Sequence, residues 1–268
     1  MAMTDAAPAA MAQGQAMTAK RDWRGAMRAV NALLADPSDT VQVFRIMAAL
    51  NAGIAERNYH RLLSTPEGGR IAYARVELVE KLMDKTWLAQ FAPGTVGATY
   101  RAFVERTGFS ADGLADVSAQ VHRERAVEHP YAWFGRRERD IHDVWHVLTG
   151  YAAEDPLGEL CLVAFSYAQT RGLGWGFIAF IGALKGLREP RGVAVARAVW
   201  EGYRHGRQAH WLHNEDITAL FAEPLDTARA RLNIAAPVRY ERLQQAMRDA
   251  AAATPSAAEP ISAGRSAR

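Results

Sequence analysis

Two histidines four positions apart, His142 and His146, with Asp143 beside the first, form the run His-Asp-Val-Trp-His near the middle of the chain. Imidazoles one helical turn apart can aim ring nitrogens at a common point, and a carboxylate on the same face can join them or orient one. Glu159 follows just beyond a proline and supplies a further carboxylate. Two histidines with one or two carboxylates suit a divalent ion: zinc first, with iron, cobalt or manganese as alternatives, and a position left for water or substrate. The competing reading is a solvated amphipathic helix carrying a structural His–Asp pair.

The elements around these residues can be read from their spacing. At about 100° per residue, with His142 at zero, His146 falls near ~40° and Asp143 near ~100°, while Phe134, Ile141, Val144, Trp145 and Leu148 occupy the arc from about 200° to 300°. Polar and apolar residues are thus segregated on one helix. Gly150 is placed to end it, and Asp155 with Pro156 supplies an N-cap and a first-turn proline for the next. Glu159 then lies in that helix's first turn, where the dipole favours the ionised carboxylate a metal requires. The spacing thus admits a metal centre between two helices beside the solvated-face reading.

The remaining sequence predicts the frame. With 268 residues, 49% of them hydrophobic and 23% charged, the composition is that of a folded globular chain. Nearly every stretch from residue 21 to 248 has helical spacing and none alternates like a strand, so the fold class is all-α in a single multi-helix domain. Residues 1–20 read as a disordered leader with no targeting pattern, and residues 249–268 as a disordered tail. The basic residues, 32 against 29 acidic, form no long run, which excludes a nucleic-acid surface as the expected partner. Cys161 is the single cysteine; it excludes an internal disulfide and reads as inert core.

Three further groupings carry alternatives. Arg139 falls near ~60° on the same wheel, one turn before His142, where it can grip a substrate carboxylate; the favoured reading is that with Arg136 and Arg137 it forms a solvated helix face. His205, His210 and His213 lie in a basic stretch whose arginines oppose a second metal site and suit a basic surface or a membrane contact. Residues 172–187, "GLGWGFIAFIGALKGL", are the most apolar run but fall short of a membrane span of roughly 20 residues. They read as a core helix packed through its glycines, or as the wall of a lipid tunnel or a membrane-dipping helix.

On "HDVWHVLTGYAAEDPLGE", "PGTVGATYRAF", "ELCLVAFSYAQTRG" and the basic "EGYRHGRQAHWLHNED", in that family's order, the chain resembles the coenzyme Q (ubiquinone) biosynthesis protein 4 family over roughly residues 60–234. The resemblance implies His142, Asp143, His146 and Glu159 as the metal set. Twelve residues, 147 to 158, separate His146 from Glu159, one more than the family's usual eleven, so Glu154 and Asp155 stand as substitutes for Glu159. It further implies ubiquinone biosynthesis: decarboxylation, with hydroxylation, of a polyprenylated 4-hydroxybenzoate-type ring. Asp143 would be ligand or general acid, and Arg139 the carboxylate grip. A non-catalytic lipid-binding scaffold for the pathway's enzymes is the alternative. A lipid-sized apolar groove, a prenylated precursor and other biosynthetic enzymes as partners, a homodimer, and a peripheral place on the cytoplasmic side of the inner membrane complete the expectation.

Overall fold

A computed structural model describes residues 21–36, 39–108 and 129–253, and every regular element in it is helical. The expected leader, and the tail beyond 253, fall outside the described residues. The chain runs through α1 (Trp23–Ala35), α2 (Thr40–Leu50), α3 (Ile54–Leu63), α4 (Pro66–Ala74), α5 (Leu78–Met83), α6 (Lys85–Ala89) and α7 (Val96–Thr107). After residue 129 follow α8 (Pro130–Asp140), α9 (His142–Thr149), α10 (Pro156–Thr170), α11 (Leu173–Gly186) and α12 (Gly192–Gln208). A 3-10 turn at Leu212–Asn214 leads to α13 (Ile217–Ala222), α14 (Leu225–Arg231) and α15 (Val238–Ala253), the last passing the boundary expected at 248.

The long periodic stretches break where local chemistry offers a cap. Residues 70–91 divide because Arg75 turns left-handed (φ 44°) and Asp84 accepts from the N–H groups of Thr86 and Trp87, closing α5 while opening α6. The helix expected through residues 136–150 is interrupted by a turn at Ile141, which closes α8 and lets His142 start α9.

The middle of the molecule is α10. It is apolar on all sides, with Cys161, Leu162, Val163, Ala164, Phe165 and Ser166 buried in succession, as a helix must be when neighbours cover its whole circumference. It is flanked by α11, which runs antiparallel to it, and by α12, which runs parallel, and α9 and α15 close its N-terminal end. The start of α7 is tied to the α13–α14 corner by Val96 N–H to Glu223 O (2.9 Å) and Leu225 N–H to Gly94 O (2.9 Å). This holds α7 beside α9, under the histidine pair.

The lipid-sized apolar groove is not formed by the described residues, and α11 shows why. Its Gly174, Gly176 and Gly182 sit against Met47, Tyr167 and Leu160, each so close that an added Cβ would crowd the neighbour. The glycines thus seat α11 flush on α2 and α10 instead of leaving a channel. The apolar residues beyond that contact, Phe180, Leu184 and Leu187, are exposed as a row on the outer surface. The core-helix reading holds for the inner half of this segment. No helix among the described residues is long and apolar enough to cross a membrane.

Candidate metal centre

The capping expected from sequence builds the site. Gly150, left-handed at φ 80°, ends α9 with its N–H on His146 O (2.9 Å). Asp155 caps α10 through the N–H groups of Leu157 (3.2 Å) and Gly158 (3.0 Å), with Pro156 in the first turn. Gly158 lies against the backbone of Ala152, where a Cβ would collide with the carbonyl oxygen, so only glycine lets the connection double back so tightly. The result places Glu159 over α9: its carboxylate is 3.0 Å from His146 Nε2 and 3.4 Å from His142 Nε2. Donor atoms of His142, His146 and Glu159 lie within 4.8 Å of one another, the spread a single ion can bridge.

The donor set fits a cation. His146 Nδ1 lies 2.8 Å from the carbonyl oxygen of Tyr151, which only accepts, so Nδ1 carries a proton and donates. In the neutral ring Nε2 is then a lone pair, yet it faces a carboxylate at 3.0 Å. Two acceptors are stable at that distance only with a positive charge between them, a proton or a metal ion. Burial opposes ionisation of Glu159, but hydrogen bonds from His142 and His146 outweigh it and hold the carboxyl well below the usual range. Burial likewise opposes charge on His142, and Glu159, Asp143 and Glu138 reverse the balance and raise its pKa. The His146 side chain is 2% exposed and Glu159 42%, so the centre is sealed on the α9 side and open at the carboxylate.

The solvated-helix reading fails because every residue from Asp143 to Thr149 is buried. Phe103 stacks on His146 (centroids 6.0 Å apart) and Trp175 on His142 (5.5 Å, 4° between planes). Asp143 stands outside the three-residue group. It is buried, its Oδ2 has no hydrogen-bond partner among the described residues, and burial raises its pKa against the pull of both histidines. The arginines are not a solvated face either: Arg136 pairs with Glu77 (2.6 Å), and buried Arg137 donates to Glu215 O (2.7 Å). Arg139 is paired with its neighbour Asp140 (2.7 Å).

Three residues escaped the sequence reading. Glu138 accepts from Trp175 Nε1 (3.4 Å), and so braces the ring that stacks on His142. Burial pushes its carboxyl up to about 7, against the Trp175 N–H, Arg57 and His142. Tyr100 is fully buried with its hydroxyl unpartnered among the described residues, its pKa raised by burial and then by Asp143 and Asp140. The only signal for these was apolar or acidic residues at helical spacing, which core positions share.

His205, His210 and His213 are not brought together as ligands. His213 is wholly buried among Phe134, Trp145 and Trp211, with centroids 5.1 to 5.2 Å away. Burial, with Arg137 and Arg61, presses its pKa down to about 3. Between roughly pH 6.5, the unperturbed histidine value, and 3, the unfolded chain binds a proton here that the folded chain refuses, so stability falls as pH falls. In His213→Leu the wild-type slope of unfolding free energy against pH, measured by denaturant titration between pH 6 and 4, is expected to flatten by about 1.4 kcal/mol per pH unit. An unchanged slope would place the acid sensitivity elsewhere.

A model of the coenzyme Q (ubiquinone) biosynthesis protein Coq4 family matches residues 17–238. The chain belongs to the Coq4 family. Among curated relatives, the mitochondrial ubiquinone biosynthesis protein COQ4 of Phaeosphaeria nodorum is 29% identical over 195 residues, 71% of this chain and 63% of that protein. Its counterpart in Pyrenophora tritici-repentis is 30% identical with the same coverage, so the chain spans under two thirds of these relatives. A crystal structure from Nostoc punctiforme, described as a candidate ubiquinone biosynthesis protein, shares the fold: TM-score 0.58, 21% identity, 80% of this chain and 99% of that one. Glu154 is taken up by Arg106 (2.8 Å) and Asp155 by the helix N-terminus, which leaves Glu159 to the histidines.

Proposed function

We propose that this chain acts in ubiquinone biosynthesis as a metal-dependent enzyme that removes the carboxylate of a polyprenylated 4-hydroxybenzoate-type ring, coupled to hydroxylation at that carbon. Family membership supplies the pathway. The observation that carries the chemistry is a two-histidine, one-glutamate corner, open at Glu159, with buried Asp143 beside it, its Oδ2 without a partner among the described residues. His142, His146 and Glu159 would hold the ion, zinc or another borderline divalent metal. When bound, it supplies a Lewis acid that stabilises negative charge developing on the ring and its oxygens as carbon dioxide leaves. Trp175 and Phe103, stacked on the two imidazoles, exclude water from the ring nitrogens and fix their planes.

Asp143 is assigned either the fourth ligand position or general acid catalysis in which the carboxylate leaves before oxygen is added: it delivers the proton that replaces carbon dioxide on the ring carbon, and hydroxylation then replaces that hydrogen. Arg139, bound to Asp140, would have to exchange that partner to grip a substrate carboxylate. A hydroxylated product further requires dioxygen as the oxygen source and an external two-electron donor. The prenyl tail would leave the site along α11, which presents Trp175 to His142 at one end and the exposed row Phe180, Leu184 and Leu187 at the other. That row would also rest on a membrane, so that tail and protein meet at one surface.

The deciding experiment combines elemental analysis of the full chain with release of carbon dioxide from a prenylated 4-hydroxybenzoate, with and without oxygen. Turnover that follows metal content is the expected result. Asp143→Asn should retain the metal and lose about 10²- to 10⁴-fold in turnover, the range for a positioned proton donor. Absence of turnover from metal-loaded wild type, together with undisturbed recruitment of partner enzymes by the metal-free chain, would replace this reading with the scaffold.

A further inference from the structure

Outside the metal centre the described residues form a cavity of about 500 Å3 lined by Arg197, Trp200, Glu201, Arg204, His205 and Arg239. Its position follows from the periodicity of α12. Taking Val193 as zero at about 100° per residue, Arg197, Trp200 and Arg204 all fall within about 40° of it. Gly202 and Gly206, which press on the backbone of Cys161 and Phe165 in α10, lie near ~180° and ~220°, on the opposite side. One face of α12 is therefore spent on the core, while the other displays arginines alternating with apolar side chains. Val193 and Trp200 on it are 59% and 60% exposed.

The charges on this face are left over. Neither Arg197 nor Arg204 forms an ion pair or hydrogen bond among the described residues. The one carboxylate in the lining, Glu201, accepts from the backbone N–H of Arg239 (2.8 Å) and lies 3.7 Å from its Nε. That pairing draws the start of α15 to the cavity and partly satisfies Glu201. Three guanidinium groups against one carboxylate leave the lining two charges positive. Guanidinium forks match the oxygens of a phosphate, and an exposed indole beside them suits the boundary between headgroups and hydrocarbon.

We infer that the cavity between Arg197, Arg204 and Arg239 is a binding site for a phosphate group carried by a lipid, the headgroup phosphate of an anionic glycerophospholipid. Val193 and Trp200 would enter the acyl boundary on either side of Arg197, and the arginines would close on the phosphate. The inference stands independently of the chemistry at His142 and His146.

The test is co-sedimentation of the full chain with vesicles of phosphatidylcholine alone or with added phosphatidic acid, repeated with soluble glycerol phosphate as competitor. Phosphatidic acid should strengthen binding and glycerol phosphate should weaken it. The double variant Arg197→Gln/Arg204→Gln, changed only at exposed positions, should keep its melting temperature and lose about thirty-fold in affinity for the acidic vesicles, two basic residues each contributing about five-fold. If glycerol phosphate binds the wild type and not the double variant while both vesicle types bind alike, the phosphate site stands and its source is a soluble ester. If the double variant binds both probes as the wild type does, or if Trp200→Ala alone removes vesicle binding with no preference for phosphatidic acid, the inference is overturned.

Discussion

His146→Ala is expected to leave a folded chain that retains no stoichiometric divalent ion and turns over at least about 10³-fold more slowly than wild type. Tyr151 O fixes the proton on Nδ1, so Nε2 is committed to the corner it shares with Glu159. Neither acid of the preceding loop can take its place: Glu154 is held by Arg106, and Asp155 by the N-terminus of α10. Loss of a supporting residue alone typically costs 10- to 100-fold in metal affinity, and loss of one of three protein donors costs more. Metal content after dialysis, followed by thermal unfolding to verify the fold, reads the outcome. A variant that keeps a full equivalent of metal would show that the ion is held elsewhere, and would remove the basis of the proposed chemistry.

How much of this site was legible follows from how local its signals are. His142, His146, Gly150, Asp155, Pro156 and Glu159 announce a helix end, a cap and three donor side chains within one short stretch, and the structure forms that helix end and that cap and brings the three side chains together. The expected core arc of Phe134, Ile141, Val144, Trp145 and Leu148 is buried throughout. Cys161 is buried too, with its thiol pKa pushed up by burial, as its apolar surroundings suggested.

What stayed hidden depends on contacts between distant segments. A wheel drawn through residues 134–148 assumes one uninterrupted helix, and the turn at Ile141 breaks that phase, leaving Arg139 in α8 with Asp140 as its partner. Arginines look solvated until a tertiary partner is supplied: Glu77 for Arg136 and the Glu215 carbonyl for Arg137 come from 59 and 78 residues away. Glu138 and Trp175 meet across 37 residues, and no spacing rule joins an acid on one helix to an indole on another. The missing groove has the same origin, because the sequence shows that α11 is apolar but not that its glycines will be filled by Met47, Tyr167 and Leu160.

Those close approaches make the second large expectation, which concerns stability. Gly202→Ala should destabilise the fold by about 3 kcal/mol, the upper end for overpacking, although alanine in a helix is otherwise favoured over glycine by about 1 kcal/mol. A Cβ at Gly202 would lie well inside contact distance of the Cys161 carbonyl oxygen, and one at Gly206 only 2.5 Å from that of Phe165. Both obstacles are backbone atoms of the central helix, which cannot rotate away as a side-chain tip would. Relief requires α12 to move off α10, and that also loosens the bond from Gln169 Nε2 to Gly206 O (2.8 Å) and the buried faces of Ala198 and Val199. Gly135 is the control, a helical glycine with nothing within 4 Å of an added Cβ. Gly135→Ala should stabilise by about 0.5 to 1 kcal/mol, so the same change of residue takes opposite signs at two helical positions. For a chain of this size 1 kcal/mol corresponds to roughly 2–4 °C, so Gly202→Ala should melt about 6–12 °C below wild type and Gly135→Ala slightly above it. Equal melting temperatures for the two variants would mean that α12 does not rest on α10 through its glycines.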